Sequence, residues 1–335
     1  MQRTLVTGGL GFLGAALTRA LAERGDTVRV FDNSSRGSAE KLGAMAGDVE
    51  IIAGDIRDPA AVREAVRGCD RVLHLAFVNG TEYFYKHPAF VLDVGVKGMV
   101  NVLDSCIALG VRDLVVASSS EVYQTPPSVP TAENVPLSVP DPLNARYSYG
   151  GGKIISELMT VNYGRQYFER AVLFRPHNVY GPMMGYEHVI PQFIGRMATL
   201  AASTPEGVLP FPIQGSGEQT RSFIHIDDFT AGLLLVADKG EHLNIYHIGT
   251  EEEVSIGDVA RMVGAAMGRE IRLEAGPDAP GGTPRRCPDT SKIRSLGFRQ
   301  HIPLADGLRP TVEWYLAHPA PASRAAPEPS LFFLP

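Results

Sequence analysis

A tyrosine and a lysine lie four positions apart in the segment Tyr149-Gly150-Gly151-Gly152-Lys153. On a helix, positions i and i+4 share one face, so both side chains would point into one pocket. A phenol ordinarily titrates near pH 10, and a neighbouring ammonium favours the phenolate. Such a tyrosine can take a proton from an alcohol near neutral pH. A surface Tyr/Lys pair would have the same spacing, so the meaning of this pair depends on the elements around it.

A glycine-rich turn near the start of the chain joins a predicted strand to a predicted helix. Thr4-Leu5-Val6-Thr7 is typical of a short buried strand, and a G-x-x-G-x-x-G pattern follows it at once. Such a turn allows close backbone approach and leaves a helix N-terminus free to hold a pyrophosphate. The residues expected to contact a dinucleotide here are Gly8, Gly11, Phe12, Leu13 and Gly14.

An aspartate follows the second predicted strand, Val28–Phe31. The carboxylate of Asp32 can accept hydrogen bonds from the adenosine ribose and repels a 2′-phosphate, which favours NAD over NADP. Arg36 lies close enough in sequence to weaken that preference. The ends of the next two strands add further expected cofactor contacts, namely Asp55 and Ile56 at the adenine edge and Leu75 and Ala76 beside the nicotinamide half.

Composition excludes several classes of protein. The 335 residues carry a net charge of −6, with 44% hydrophobic residues and a mean hydropathy of −0.01. We therefore expect no nucleic-acid partner and no membrane association. Three widely spaced cysteines predict neither a disulfide framework nor a metal cluster, and the histidines lack metal-binding spacing. The N-terminus runs directly into the first strand, so we expect a cytoplasmic protein without a secretory signal.

Strands and helices alternate through the first half of the chain, which predicts a parallel sheet. The expected strands are Thr4–Thr7, Val28–Phe31, Glu50–Ala53, Val72–Ala76, Asp113–Ser118 and Ala171–Phe174. The expected helices are Ala60–Gly68, Phe90–Leu109, Lys153–Phe168 and Phe229–Val236. The fold class is therefore α/β: a Rossmann-like doubly wound parallel sheet with a smaller α/β substrate lobe. The predicted parts are an NAD-binding domain (1–175, with 225–250 returning to it), a substrate lobe (176–224 and 251–316) and a Pro/Ala-rich tail (317–335).

Four further motifs occur along the chain in a fixed order. They are Ser118-Ser119-Ser120-Glu121-Val122-Tyr123, Arg175-Pro176-His177-Asn178-Val179-Tyr180-Gly181-Pro182, Arg221-Ser222-Phe223-Ile224-His225-Ile226-Asp227-Asp228 and Arg285-Arg286-Cys287-Pro288-Asp289. Together with the glycine turn and the Tyr/Lys pair, they resemble the extended short-chain dehydrogenase/reductase family, specifically its nucleotide-sugar epimerases and dehydratases. The resemblance runs from Gly8 to about Leu296.

The resemblance implies a role for each matching residue. Ser119 would hydrogen-bond the reacting sugar oxygen, Tyr149 would be the general base, and Lys153 would hold the nicotinamide ribose and lower the pKa of the tyrosine. The residues implied to bind a nucleotide-diphosphate sugar are Ser120, Asn178, Arg221 and an arginine of the pair Arg285 and Arg286, with the choice between these two open. Guanidinium groups suit phosphate. Two alternatives stay open: Arg221 as a surface ion-pair partner and Asn178 as a turn residue.

The family resemblance also implies NAD as the cofactor and a homodimer. Related enzymes often dimerise through the helix that carries Tyr-x-x-x-Lys and its neighbour. Here the segments Val91–Leu109 and Ile154–Phe168 are apolar on more than one face, which is compatible with burial against both the sheet and a partner.

The chain departs from the usual family pattern at four places. Gln124 stands where a glycine usually follows Val-Tyr, and Gly95 stands where an asparagine is frequent, which removes a side chain near the cofactor. Three glycines, Gly150 to Gly152, lower helix stability just after the tyrosine. The fourth departure is the triplet Ser119-Ser120-Glu121, which bears on the reaction.

Members of this group begin by oxidising a sugar hydroxyl, usually at C4, while hydride passes to NAD+. Return of hydride to the other face of the ketone gives epimerisation. Removal of the C5 proton by a carboxylate allows loss of water, and a uronic acid can instead lose carbon dioxide. Glu121 is the candidate carboxylate, and the Ser-Glu pairing resembles GDP-mannose dehydratases and UDP-glucuronate decarboxylases. The same glutamate also occurs in epimerases, and it could simply face a polar loop.

We therefore expect C4 epimerisation first, with dehydration or decarboxylation through Glu121 as the alternative. A remote alternative is an NAD-binding protein without catalysis.

Overall fold

The computed structural model describes residues 2–277 and 283–320 and has a seven-stranded parallel sheet at its centre. In chain order the strands are β1 (Arg3–Thr7), β2 (Thr27–Asp32), β3 (Glu50–Ala53), β4 (Arg71–His74), β5 (Asp113–Ala117), β6 (Arg170–Pro176), β7 (Val179–Tyr180), β8 (Leu209–Ile213), β9 (Thr220–Ser222), β10 (Ile224–His225), β11 (Asn244–Ile248), β12 (Glu253–Ser255), β13 (Ile271–Ala275) and β14 (Arg285–Arg286). The large sheet has the order β11-β6-β5-β4-β1-β2-β3, with every pair parallel.

Helices cover both faces of this sheet and build the second lobe. They are α1 (Phe12–Glu23), α2 (Pro59–Val66), α3 (Thr81–Lys86), α4 (Pro88–Leu92), α5 (Gly98–Leu109), α6 (Ser148–Tyr167), α7 (Val189–Ser203), α8 (Ile226–Lys239), α9 (Ile256–Ala266), α10 (Ser291–Ser295) and α11 (Leu304–Ala317). The middle residues of the central strands are apolar and fully buried, for example Leu5, Val6 and Leu73. A sheet buried on both faces needs such strands, so the predicted Rossmann-like fold is confirmed.

Two of the predicted helices differ from the structure in ways that concern the site. The helix predicted from Lys153 begins earlier, at Ser148, so Tyr149 and Lys153 share α6. The single helix predicted over Phe90–Leu109 is three segments, because a π-helical turn, Asp93–Lys97, separates α4 from α5. A π turn inserts a residue into the helical repeat and is frequent at functional sites.

The second lobe packs α7, α9 and α11 around strands β8 and β13. Its core contains fully buried side chains such as Phe211, Val259 and Met197. The segment around β11 joins the edge of the large sheet, and α8 packs against it. Within the described ranges, no helix combines the length and apolar character that crossing a membrane requires. Residues 321–335, most of the predicted tail, lie outside the described residues.

Candidate active site

A cleft of about 820 Å³ opens at the carboxyl ends of the sheet strands, between the sheet and the second lobe. The strand order reverses between β1 and β4, and ligands of α/β sheets bind at such a switch point. Every predicted cofactor contact lines this cleft: Gly8, Gly11, Phe12, Leu13, Gly14, Asp32, Asp55, Ile56, Leu75, Ala76, Tyr149 and Lys153.

The glycine turn at the start of α1 leaves no room for side chains. Gly8 has a φ of 71°, and a Cβ there would lie 2.8 Å from the Cα of Ala76. A Cβ on Gly14 would overlap the carbonyl oxygen of Gly8. The turn therefore presents bare backbone at a helix N-terminus, which fits the pyrophosphate of a dinucleotide.

The adenosine end of the cleft is organised by backbone contacts. The N–H groups of Leu10 and Ser34 donate to the two oxygens of Asp32, at 3.0 and 2.8 Å. These bonds fix the direction of the carboxylate at the end of β2. The guanidinium of Arg36 contacts the carboxylate of Glu187 and the carbonyl oxygen of Asn79. Arg36 thus bridges two sides of the cleft opening.

Aromatic rings enclose the predicted base, Tyr149. The Phe84 ring stacks on it at a centroid distance of 4.8 Å, and the Phe77 ring meets it edge-on at 5.2 Å. Burial raises the pKa of Tyr149 to about 12, while a hydrogen bond from Ser119 works in the opposite direction. The expectation that this pKa lies below its ordinary value is therefore wrong for the described structure, because burial outweighs the neighbouring charges.

The predicted partner, Lys153, is buried beside the same rings. Its Nζ donates to the carbonyl oxygen of Ala117 at 2.7 Å and lies 3.9 Å from the centroid of the Phe77 ring. Burial lowers the pKa of Lys153 to about 7. The ammonium also lies 5.9 Å from the centroid of the Tyr149 ring, so the two predicted catalytic groups share one pocket.

The carboxylate of Glu121 forms an ion pair instead of facing a polar loop. Nη1 of Arg286 donates to Oε1 of Glu121 at 2.8 Å. Burial opposes ionisation of this carboxyl, but the guanidinium groups of Arg286, Arg146 and Arg221 outweigh it and hold its pKa below the ordinary value. Burial and the neighbouring Arg286 lower the pKa of Arg221 to about 10.

This cluster of three arginines around Glu121 carries an excess of positive charge. The Nε atoms of Arg146 and Arg286 are buried and have no hydrogen-bond partner among the described residues. Unpaired donors next to a single carboxylate suit an anionic ligand.

The remaining predicted substrate residues are not all at the cleft. Asn178 and Ser120 line it, and Asn178 also donates to the carbonyl oxygen of Ser222 at 2.9 Å. Arg285, in contrast, is exposed and pairs with Glu253 at 2.7 Å. Its side chain is absent from the cleft lining, so the structure separates Arg285 from Arg286.

Two departures from the family pattern, Gln124 and Gly150, lie against each other in the structure. Gln124 has a φ of 53° and donates through Nε2 to the carbonyl oxygen of Glu121 at 2.6 Å. A Cβ on Gly150 would lie 2.6 Å from that nitrogen. The glycine at position 150 therefore makes space for the glutamine that stands in a glycine's usual place.

Sequence reasoning missed two aromatic residues, Phe77 and Phe84, that enclose Tyr149. The available signal for Phe77 was a large side chain three positions after the end of β4, next to Leu75 and Ala76 at the predicted nicotinamide half of the cleft. Arg146 lies just before α6, and its positive charge acts on Glu121.

Comparisons with known proteins agree with this geometry. The NAD dependent epimerase/dehydratase family matches residues 4–249. The dTDP-4-dehydro-6-deoxy-D-allose reductase of Streptomyces bikiniensis is 32% identical, over 95% of this chain and 97% of its own length. The UDP-N-acetyl-alpha-D-glucosaminuronate decarboxylase of Bacillus cytotoxicus is 29% identical, over 94% and 98%.

A solved structure links the fold to the cofactor. The UDP-glucose 4-epimerase of Thermus thermophilus in complex with NAD superposes with a TM-score of 0.82 at 26% identity, over 95% of this chain and 100% of that one. The predicted cofactor, NAD, is confirmed by the family and by such NAD-bound neighbours. These relatives catalyse different reactions on nucleotide sugars. This chain belongs to the NAD-dependent epimerase/dehydratase family of nucleotide-sugar enzymes.

Proposed function

We propose that this enzyme inverts C4 of a nucleotide-diphosphate sugar through a transient 4-keto sugar. The observation that carries the proposal is the 2.8 Å ion pair between Glu121 and Arg286. It engages the carboxylate beside Tyr149, so the tyrosine is the group in the pocket that exchanges a proton with the sugar. The cleft residues from the glycine turn at Gly8 to Lys153 would hold NAD, which would supply the hydride acceptor and donor for C4.

The residues of the chain handle the hydroxyl proton. Tyr149 removes the proton from the C4 oxygen as hydride leaves, and Ser119 holds that oxygen by a hydrogen bond. Lys153 places its amine in the same pocket, 5.9 Å from the centroid of the Tyr149 ring, where its charged form would oppose the effect of burial on the phenolate. For the return step, Tyr149 gives the proton back after the ketone has turned over.

The state of Glu121 supports epimerisation over elimination. Loss of water from C5 and C6 needs a base that removes the C5 proton. A carboxylate that is ion-paired, with a pKa below its ordinary value, is a weak base. Glu121 is better suited to orienting Arg286 than to removing a proton from carbon.

The same arginine cluster favours a diphosphate in the cleft. Arg286 lines the cleft with Asn178 and Ser120. Arg221 is not part of that lining: its side chain donates to the carbonyl oxygens of Thr220 and Thr283, and its positive charge acts on Glu121 beside Arg286. Guanidinium groups bind phosphate oxygens in pairs. Arg285 has no part in this proposal, because it is exposed and bound to Glu253.

Decarboxylation of a nucleotide hexuronate is the second candidate. Three guanidinium groups surround the single carboxylate of Glu121, so the cluster has an excess of positive charge that a substrate carboxylate would neutralise. After oxidation at C4, a uronate is a β-keto acid that loses carbon dioxide without a base at C5. The similarity to a glucosaminuronate decarboxylase adds to this alternative.

Mass spectrometry of products formed in deuterated water decides between these reactions. The substrates are UDP-, GDP-, CDP-, ADP- and dTDP-sugars, each as the neutral hexose and, where it exists, the uronate. An isomer without carbon-bound deuterium supports C4 epimerisation. Loss of carbon dioxide or water, with deuterium left in the product, contradicts it.

We also propose a homodimer formed through α5, α6 and their copies. The side chains of Leu92, Ile155 and Leu158 are exposed at 37, 38 and 59% on this side of the molecule, although they are apolar. Adding them to a four-helix interface would remove that surface from water. A monomeric mass at micromolar concentration would contradict the proposal, and Leu158→Glu should dissociate the dimer.

A cytoplasmic location is the last part of the proposal. The cysteines Cys69, Cys106 and Cys287 are free and buried, as a reducing compartment permits. Fractionation of cells that express the full chain tests this, and recovery outside the cytoplasm would contradict it.

A further inference from the structure

The ring of Phe77 fills a notch formed by two glycines on different helical segments. A Cβ added to Gly95 would overlap the ring, and a Cβ added to Gly152 would lie 3.2 Å from its Cζ atom. Gly95 belongs to the π-helical turn and Gly152 to α6. The ring therefore occupies space that any other residue at position 95 would take.

The helix is deformed where the ring lies. The π-helical turn spans Asp93–Lys97, with Gly95 at its centre, and joins two ordinary α-helical segments. Such turns are rare and carry a cost in helix geometry. The missing side chain at position 95, inside this irregular turn, leaves the space that the aromatic ring occupies.

The face of this ring is directed at a charge. Nζ of Lys153 lies 3.9 Å from the Phe77 centroid, within the range of a cation–π contact. Among the described residues, Nζ of Lys153 donates one hydrogen bond, to the carbonyl oxygen of Ala117. The edge of the same ring touches Tyr149, at an interplanar angle of 87°. Phe77 is thus in contact with both members of the Tyr/Lys pair.

We propose that Phe77 is a positioning residue whose ring face holds the Lys153 ammonium beneath Tyr149, in a notch that Gly95 and Gly152 keep open. The inference rests on the proposed function only in taking Lys153 as part of the proton-handling machinery. Loss of the ring moves the ammonium and changes its titration without removing any group that touches the sugar.

Other titratable groups near Lys153 also affect its pKa, and all of them are kept in the variants of the test. Glu157 on α6 favours the charged amine, and its carboxylate pairs with Arg175 at 2.6 Å. His74 on β4 hydrogen-bonds Thr7 and is neutral, because burial lowers its pKa to about 3. The Tyr149 hydroxyl shares the pocket.

The test is the titration of Lys153 itself. The full-length, NAD-saturated protein is labelled with ¹³C-lysine, and the signals of the carbons next to Nζ are followed by NMR as the pH changes. The chain has only six lysines, so these signals can be resolved, and the one that disappears in Lys153→Arg belongs to Lys153. In Phe77→Leu, an apolar side chain remains but the ring face is lost. We expect the pKa of Lys153 to fall by about one unit relative to the unmodified chain.

A matched control is Phe90→Leu, which removes an aromatic ring of the same cleft whose face meets Arg57 at 5.1 Å. This variant should leave the Lys153 titration unchanged. An unchanged Lys153 titration in Phe77→Leu would overturn the proposal. So would an equal change in both variants.

A second pair of variants tests the notch. Gly95→Ala should shift the Lys153 titration in the unmodified chain, because its Cβ displaces the ring, and should have no effect in the Phe77→Leu background. If Gly95→Ala shifted the pKa of Lys153 equally in the unmodified chain and in Phe77→Leu, the proposed role of the notch would be wrong. Neither measurement needs a sugar substrate, so failure of the proposed epimerase reaction would leave this test intact.

Discussion

The two halves of the cofactor cleft are built in different ways. The adenosine half uses a local motif, the glycine turn after β1, in which Gly8 and Gly14 are only six positions apart and approach each other closely in space. The nicotinamide half uses pairs of residues far apart in the chain, such as Phe77 with Gly95 and Gln124 with Gly150. In each pair, a large side chain takes the space that a glycine leaves. The glycine turn can therefore be recognised from one segment of the sequence. The contacts of the nicotinamide half, in contrast, depend on how distant segments pack together.

The largest expected effect comes from the base at the nicotinamide half. Tyr149→Phe removes the hydroxyl but keeps the ring between Phe77 and Phe84, so the fold and NAD binding should persist. We expect the turnover of the active nucleotide sugar to fall by about 10³-fold or more. Tyr163→Phe, on the same helix, is the control and should keep full turnover. Substantial activity in Tyr149→Phe would remove the tyrosine from the mechanism.

The adenosine half should respond to a single methyl group. Gly14→Ala places a Cβ against the Gly8 carbonyl, so we expect a loss of about 2–3 kcal/mol in unfolding free energy and a weaker affinity for NAD. Thermal unfolding and NAD titration measure both. Gly195→Ala is the control, because Gly195 is an exposed residue inside α7 and a Cβ there would meet no heavy atom within 4 Å. That variant should gain about 0.5–1 kcal/mol, and equal losses in both variants would contradict the close-approach account.

The two neighbouring arginines offer the sharpest contrast at the sugar site. Arg286→Gln leaves the largely buried Glu121 without its ion-pair partner, so we expect a loss of about 2 kcal/mol in unfolding free energy and at least tenfold weaker substrate binding. Arg285→Gln removes an exposed pair and should change neither quantity measurably. Chemical denaturation and substrate titration check this. Similar effects of the two substitutions would contradict the separation of their roles.

Acid should weaken the nicotinamide side of the sheet. Burial lowers the pKa of His74 to about 3, that of His247 to about 4 and that of His177 well below its ordinary value. Below about pH 6.5 the unfolded chain binds these protons and the folded chain does not, so stability falls as the pH drops. Each histidine contributes a slope of about 1.4 kcal/mol per pH unit until its folded pKa is reached. A flat unfolding free energy between pH 7 and 5 would contradict this.

The regularity of each region explains what could be predicted. The parallel sheet, the glycine turn and the helix that carries Tyr149 follow from hydrophobic periodicity and local turn chemistry, and the fold class was confirmed. The fit of the Phe77 ring against Gly95 could not be predicted, because the two residues are 18 positions apart and meet only in the folded chain.

Electrostatics at the site escaped prediction for the same reason. The pair between Glu121 and Arg286 joins residues 165 positions apart, and no spacing rule connects them. The wrong expectation for the pKa of Tyr149 arose because a sequence shows the neighbouring lysine but not the two phenylalanine rings that exclude water.

The most direct test of the central claim follows the hydride at C4. A nucleotide sugar that carries deuterium at C4 is incubated with the NAD-loaded enzyme in ordinary water, and the product is analysed by NMR and mass spectrometry. If the sugar is oxidised and reduced at one carbon, the deuterium remains at C4 of the epimer. Deuterium found at another carbon, or lost to solvent, or a product that has lost water or carbon dioxide, would contradict C4 epimerisation.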